Sequence, residues 1–170
     1  MNNKKGVSAI VATVLIILIT VAAVTIIWAA IIPMVSNQLD RGNACLDATT
    51  QLQIGGSGYT CWNSSDNNLS IQVKAGAQID NLANLQFLIG EDGLLVGVKL
   101  FNATGEVSPG ITGDTSVPEA NRDYIYIIRT SAFSGVNTPD TVGIAPMILL
   151  GNSVETCDVA STLSPIPMCI

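Results

Sequence analysis

The pattern of apolar and polar positions begins with one long apolar run near the N-terminus. Residues 7–35, a stretch of 29, contain no charged side chain and directly follow Lys4, Lys5 and Gly6. A helix needs about 20 apolar residues to cross a hydrocarbon core of ~30 Å, so the run predicts a membrane-spanning helix. The two lysines are expected to stay in the cytoplasm, which places the chain after the run outside the cell.

The predicted helix extends beyond the apolar run. The segment 36–41 holds no helix breaker, and Gly42 is typical of the residue that caps a helix C-terminus. We therefore predict a hydrophobic N-terminal helix over 7–42. Small residues along it permit close approach between neighbouring helices in a bundle. They are Ala9, Ala12, Ala22, Ala23, Ala29 and Ala30.

After Gly42 the pattern changes to alternating apolar and polar positions, which is typical of strands. The clearest alternation occurs in three segments, 51–54, 69–74 and 124–129. Strands at this spacing, with glycine-rich and proline-rich turns between them, predict a small antiparallel sandwich. The chain is thus expected to be an α+β protein, in which the long N-terminal hydrophobic helix precedes an antiparallel β-sandwich head domain over 43–170.

Two further segments of the head are predicted from their turn residues. Segments 85–90 and 94–101 flank Glu91-Asp92-Gly93, and this arrangement predicts a β-hairpin. Residues 104–122 include three glycines and two prolines and predict a long exposed loop.

Charge and residue content restrict the chemistry of the chain. It has 7 Lys+Arg against 13 Asp+Glu, a formal net charge of −6, and the basic residues of the head are scattered. Nucleic acid is therefore not expected as a partner, because phosphate binding needs clustered basic side chains. The absence of histidine excludes Ser-His-Asp and Cys-His arrangements and histidine metal sites. We predict no enzymatic activity, no catalytic or metal-binding residues and no cofactor.

The acidic residues offer weak alternatives to that prediction. Glu91 and Asp92 are the obvious adjacent carboxylates for glycosidase chemistry, but acidic residues are ordinary in a turn next to glycine. Asp114 and Glu119 lie in the predicted long loop and offer oxygen ligands for calcium, although the spacing is not that of an EF-hand.

The cysteines predict an oxidised, exported domain. All four follow the apolar run, at Cys45, Cys61, Cys157 and Cys169. An even number in an exported domain indicates two disulfides, and a metal site is less favoured because there is neither a C-x-x-C pair nor a histidine. Three pairings are open. We favour Cys45–Cys61 with Cys157–Cys169, because each closes a short loop, and a loop of about 15 residues stabilises by roughly 3 kcal/mol.

Three N-x-S/T tripeptides add candidate N-glycosylation sites to the exported domain. Their acceptors are Asn63, Asn68 and Asn102. Chance is the competing explanation, because the domain is rich in asparagine, serine and threonine.

The apolar run has three interpretations. A cleaved secretory signal has an apolar stretch of roughly 7–15 residues, about half of this one, although Trp28-Ala29-Ala30 offers a weak cleavage site. A permanent anchor is compatible with the length. The third interpretation depends on the string Lys4-Lys5-Gly6-Val7-Ser8-Ala9-Ile10-Val11, where a basic pair and a glycine directly precede the apolar run.

That string resembles the class III (prepilin) signal peptide of type IV pilins, most closely that of archaeal pilins. The resemblance implies that a prepilin peptidase recognises Lys5 and Gly6, cuts before Val7, and removes residues 1–6. Bacterial pilins carry a glutamate at the fifth mature position, which is Val11 here, so the departure favours an archaeal pilus. The string is less similar to archaellins, whose signals more often continue with glutamine and glycine-rich residues.

The resemblance also implies a function. It indicates a structural subunit of an extracellular type IV pilus-like filament on the cell surface, used for cell adhesion or surface attachment and assembled by packing of N-terminal hydrophobic helices. Before assembly the subunit would be a single-pass membrane protein with a cytoplasmic N-terminus. Its implied partners are copies of itself, a prepilin peptidase, and an assembly ATPase with its platform protein. Two alternatives remain: a membrane-tethered ligand-binding protein or minor pilin, and an archaellin-type motility filament subunit.

Overall fold

The computed structural model describes residues 9–56, 58–79, 81–133 and 135–169. The chain divides into two compact units, Met1–Arg41 and Gly42–Ile170. The described residues form one long α-helix, one short 3-10 helix and ten strands, and the strands pair antiparallel in two sheets. The predicted α+β class, with a long N-terminal apolar helix followed by antiparallel β-sheets, is confirmed.

The elements follow one another in chain order. The helix α1 spans Ala9–Gln51, and the 3-10 helix spans Thr130–Ala132. The strands are β1 Leu52–Ile54, β2 Cys61–Asn63, β3 Asn68–Ala75, β4 Leu82–Glu91, β5 Leu94–Lys99, β6 Ile111–Gly113, β7 Asp123–Arg129, β8 Thr141–Leu150, β9 Ser153–Thr156 and β10 Ser161–Leu163.

The helix α1 ends at Gln51 and not at Gly42, so the predicted C-terminus of the helix was wrong. Glycine inside a helix is unfavourable by about 1 kcal/mol relative to alanine. Tertiary packing in the second unit offsets this, because Ala48 is 3% exposed and packs with Ile148 of β8 and with Cys157. The last ten residues of α1, from Gly42 to Gln51, therefore belong to the head.

Each sheet has five strands. In the first, the order is β1-β3-β7-β6, and β2 also pairs with β3. In the second, the order is β10-β8-β4-β5, and β9 also pairs with β8. The predicted segments 51–54, 69–74 and 124–129 correspond to β1, β3 and β7.

The core of the head lies between the two sheets. Along β7 alternate positions are buried, as a period of two requires when one face of a sheet is covered, whereas β8 is buried at every position from Val142 to Ile148. Phe87 of β4 and Tyr126 of β7 meet in this core, with ring centroids 5.1 Å apart at an interplanar angle of 55°. The fully buried residues include Leu69, Ile71, Val73, Leu85, Phe87, Ile89, Tyr126, Ile128 and Ile144.

The predicted hairpin is confirmed. Strands β4 and β5 pair from Glu91↔Leu94 to Gln86↔Lys99, which leaves Asp92 and Gly93 as a two-residue turn. Both turn residues have positive φ, +50° and +85°. This is the type I′ geometry that matches the twist of a hairpin, and it explains the Asp-Gly sequence at this position.

The segment 104–122 is more ordered than the predicted long exposed loop, so that prediction was wrong in part. Residues 111–113 form β6, which pairs with β7, and Ile111 is only 5% exposed. Farther along, the hydroxyl of Tyr126 donates a hydrogen bond to the carbonyl oxygen of Ser116 at 2.6 Å. A strand pairing and a buried donor thus hold a segment whose composition alone indicates a loop.

Candidate functional site

The most unusual surface of the molecule is the apolar part of α1. Large side chains from Ile10 to Val35 are exposed, including Leu18 at 61% and Trp28 at 63%. Within the described residues, α1 is the one helix whose length and composition suit a membrane span, and the apolar window that defines it has no buried residue. Exposed apolar area of this extent needs a lipid or protein environment.

The threonines of this helix present no free hydroxyl donor. Thr13, Thr20 and Thr25 each donate to a carbonyl oxygen three residues earlier in the helix, at 2.8–2.9 Å. Such a bond satisfies a polar side chain without a partner from another helix. The outer surface of α1 can therefore lie in an apolar environment with little free-energy cost from unsatisfied polar groups.

Small residues interrupt the large ones on the exposed surface of the helix. Ala22 and Ala29 are seven residues apart, as are Ala23 and Ala30, so each pair lies on one face about two turns apart. Small residues at such positions let the backbones of neighbouring helices approach closely. This close packing favours helix association in a membrane, where apolar side chains are buried equally well by lipid and by protein. The predicted cleavage residues Lys5, Gly6 and Val7 lie outside the described residues.

A disulfide attaches the last turns of α1 to the second sheet. Cys45 is bonded to Cys157, which directly follows β9, with a Cα–Cα distance of 5.4 Å. Ala44, Cys45 and Ala48 also pack with Leu150 and Ile148 of β8. The end of the helix is thus held in the head by covalent and apolar contacts together.

The second disulfide joins Cys61 of β2 to Cys169 near the C-terminus, with a Cα–Cα distance of 4.9 Å. Around it, the Trp62 N–H donates to the carbonyl oxygen of Pro167 at 2.8 Å, and the Cys169 N–H donates to the carbonyl oxygen of Trp62 at 2.9 Å. The four cysteines thus form two disulfides, but the favoured pairing, Cys45–Cys61 with Cys157–Cys169, was wrong. The sandwich brings the end of the chain beside its first strands, and this long-range proximity selects the partners.

Of the two candidate carboxylates at the β4–β5 hairpin, that of Glu91 binds the backbone of a neighbouring loop, whereas Asp92 contacts the loop through its backbone N–H. Glu91 accepts hydrogen bonds from the Thr138 hydroxyl and from the N–H groups of Asn137 and Thr138. The Thr138 hydroxyl, and then the Asn137 N–H, lower the pKa of Glu91 below its ordinary value of 4.5. Asp140 in turn accepts a bond from the Asp92 N–H at 3.2 Å. These contacts hold the loop after the 3-10 helix against the hairpin.

The two acidic residues considered for calcium are not brought together at one site. Asp114 accepts a hydrogen bond from the Ile125 N–H at 2.6 Å, and Glu119 forms an ion pair with Arg122 at 2.9 Å. Among the described residues, no group of three or more His, Cys, Asp or Glu is arranged to hold a metal ion.

Two buried polar side chains were not singled out from the sequence. Asn84 donates to the carbonyl oxygen of Phe101 at 2.9 Å and accepts from the N–H groups of Phe101 and Leu85. Tyr126 has its pKa raised above the usual range, first by burial and then by the nearby charge of Asp114. Asparagine inside the apolar segment of β4 was the available signal for Asn84, whereas the sequence offered none for the hydroxyl of Tyr126.

The three N-x-S/T acceptors lie at two places in the head. Asn63 and Asn68 end β2 and begin β3, and they face each other in the register of that pair. Asn102 follows β5 in a short turn that is closed by a bond from the Asn102 N–H to the carbonyl oxygen of Glu106 at 2.8 Å. All three are half-buried.

A scan against protein-family models finds no match for this sequence, and a search of curated proteins finds none either. Function is therefore inferred from the residues and contacts of the chain itself.

Proposed function

We propose that this chain is a structural subunit of an extracellular type IV pilus-like filament that serves surface attachment. The observation that carries the proposal is the exposed apolar surface of α1, from Ile10 to Val35, on a helix whose last turns are fixed in a disulfide-bonded head. A helix of this kind suits two environments in succession, the lipid bilayer before assembly and a bundle of identical helices afterwards.

The exchange between these environments is physically reasonable because lipid chains and a helix bundle are about equally apolar. Packing of small residues and van der Waals contact then decide which environment is preferred. The small residues Ala22, Ala23, Ala29 and Ala30 supply such contacts, and the threonine hydroxyls need no partner in either environment. A repeated contact between different faces of neighbouring copies does not close, and it generates a helical polymer.

The fixed helix end suits a subunit that transmits mechanical force. Force applied to a head in a filament passes into α1 through the segment Gly42–Gln51. The Cys45–Cys157 disulfide and the burial of Ala48 join this segment to β8 and β9, so the connection does not depend on the single backbone junction at Gln51 and Leu52. A polar head joined in this way supplies the filament surface, and segment 104–122 is proposed as a region that contacts the attachment surface.

The test is the intact mass and N-terminal sequence of the native protein, measured separately in material sheared from cells and in membranes. A start at Val7 in the sheared fraction supports prepilin processing and a filament. A start at Met1 with the protein retained in membranes contradicts the proposal and favours a tethered ligand-binding protein. Deletion of the protein with loss of swimming would instead favour a motility filament.

Matched variants at the predicted cleavage site sharpen this test. Gly6→Leu is expected to block cleavage and leave the precursor in the membrane, whereas Gly6→Ala keeps a small residue and is expected to be processed. Normal filaments in the Gly6→Leu strain would refute the prepilin assignment. Because both substitutions lie outside the head, a head that folds normally in each strain, judged by its two disulfides, serves as the internal control.

A further inference from the structure

We propose that Asn102 carries an N-linked glycan, and that Asn63 and Asn68 together carry one glycan at most. The inference depends on the proposed function only in requiring that the head be exported. The three acceptors share one sequence motif, so the motif alone does not separate them. The surroundings of the three acceptors in the head, however, differ from one acceptor to the next.

The side-chain nitrogen of Asn102 is available for attachment of a glycan. Asn102 Oδ1 accepts three hydrogen bonds, from the Thr104 N–H at 2.9 Å, the Thr104 hydroxyl at 2.7 Å and the Glu106 N–H at 3.0 Å. Across the described residues, none accepts a hydrogen bond from Asn102 Nδ2. A glycan attached to Nδ2 therefore leaves every bond of the side chain in place.

The turn around Asn102 is also accessible. Ala103, Thr104 and Gly105 are exposed, and the positive φ of Gly105, +82°, lets the chain reverse direction immediately after the motif. An enzyme can therefore reach both the acceptor and the threonine hydroxyl of the motif without opening a sheet.

The motif that begins at Asn68 is closed to an enzyme in the folded head. Its middle residue, Leu69, is fully buried, and its third residue, Ser70, pairs with Cys61 of β2 on one side and Ile127 of β7 on the other. Modification of Asn68 would require β3 to leave the centre of its sheet.

Asn63 is more accessible but less free than Asn102. Its Nδ2 donates to Asp66 Oδ2 at 2.9 Å, within the turn that joins β2 to β3. Asn63 and Asn68 are direct register partners on antiparallel strands, so their Cβ atoms are about 5 Å apart. Two oligosaccharides do not fit on side chains this close, which limits the pair to one glycan.

The proposed modification transfers an oligosaccharide from a polyisoprenoid-linked sugar phosphate, the donor class that a membrane oligosaccharyltransferase uses. The bond between the anomeric carbon and the phosphate oxygen breaks, and the phosphate leaves with the electron pair. Asn102 Nδ2 forms the new bond to the anomeric carbon and loses one proton to a base of the enzyme. No oxidant or reductant is needed.

Tryptic peptide mapping of the reduced, alkylated native protein separates the two places. Cleavage after Lys99 and Arg122 gives peptide 100–122, which contains only the Asn102 motif, and cleavage after Arg41 and Lys74 gives peptide 42–74, which contains both others. We expect peptide 100–122 to be shifted by an oligosaccharide mass, and peptide 42–74 to carry one glycan or none. An unmodified peptide 100–122, or two glycans on peptide 42–74, would overturn the inference.

A matched pair of variants tests the same site within the cell. Thr104→Val removes the motif hydroxyl but keeps the shape of the side chain and the two N–H bonds to Asn102, and it is expected to abolish the mass shift. Thr104→Ser keeps the motif and the hydroxyl, and it is expected to retain the shift. A Thr104→Val protein that remains modified on peptide 100–122 contradicts the inference. The N-terminal residue of the same sample reports separately on prepilin processing, so the two proposals fail independently.

Discussion

Removal of the disulfides one at a time should show that their contributions to the free energy of unfolding are not additive. Each bridge spans more than a hundred residues, with separations of 112 and 108. In the chain-entropy model a lone loop of that length stabilises by about 4.8 kcal/mol. With one bridge already in place, however, the second closes a much shorter path. That path comprises the 16 residues from Cys45 to Cys61 and the 12 from Cys157 to Cys169, or about 28 in all.

A loop of about 28 residues corresponds to about 3.6 kcal/mol in the same model. We therefore expect Cys45→Ala/Cys157→Ala and Cys61→Ala/Cys169→Ala each to lower the free energy of unfolding by about 3.6 kcal/mol. The fourfold variant should lose about 8.4 kcal/mol, more than the sum of the two, because the last bridge closes the long loop. Independent local bridges would instead give about 3 kcal/mol each and strict additivity.

The assay is urea unfolding of the full chain in detergent micelles, followed by the fluorescence of Trp62 in a Trp28→Phe background. Trp62 is 4% exposed and reports on the head, whereas Trp28 is 63% exposed and reports on the helix. A thiol titration of each denatured variant is the control, because Cys45→Ala/Cys157→Ala leaves no free thiol only if Cys61 is bonded to Cys169. Two free thiols in that variant, or additive losses, would refute the reasoning.

Three smaller perturbations test the polar contacts of the head. Asn84→Ala leaves the half-buried N–H and carbonyl groups of Phe101 without their side-chain partner and removes the acceptor of the buried Leu85 N–H. It should reduce the free energy of unfolding by about 2–3 kcal/mol in urea titrations, whereas exposed Asn43→Ala should change it by less than about 0.5 kcal/mol. Glu91 has a lowered pKa in the folded state, so its hydrogen bonds with Thr138 and its neighbour stabilise the head above the unfolded pKa, and this contribution is lost as pH falls through the folded pKa. Glu91→Gln should therefore lower the urea midpoint near neutral pH and converge with the wild type in acid well below pH 4.5; an equal deficit at both pH values would contradict this. Tyr126→Phe should lower the free energy of unfolding by about 1 kcal/mol and accelerate amide exchange in residues 114–117, and unchanged exchange there would show that the hydroxyl does not hold the segment.

The sequence predicted those parts of the fold that depend on local pattern. The uncharged run after Gly6 gave α1, and the alternation over 69–74 and 124–129 gave two central strands. Asp92-Gly93 gave the hairpin, because only a few residues accept positive φ at both turn positions. In each case the physical cause acts over a few neighbouring residues and is therefore visible without the fold.

The sequence did not predict features that depend on distant partners. The helix continues through Gly42 because Ala48 packs against β8. Helix propensity is a local property of the sequence and does not report such a tertiary contact. The disulfide partners are set by which ends of the sandwich meet, so the preference for short loops failed. Likewise Ile111 is buried and paired in a segment whose glycines and prolines indicate a loop, since its partner strand follows it in the chain. The discrimination among Asn63, Asn68 and Asn102 also required strand register and burial.

The crossed arrangement of the two disulfides has a consequence for proteolysis. A peptide bond cut anywhere between Cys45 and Cys157 leaves its two fragments joined through that bridge, and a cut between Cys157 and Cys169 leaves them joined through Cys61–Cys169. No single cleavage between Cys45 and Cys169 therefore releases any part of the head from α1. A head exposed to proteases would therefore accumulate cleaved peptide bonds without releasing fragments. The cleaved chains would separate into fragments only on a reducing gel.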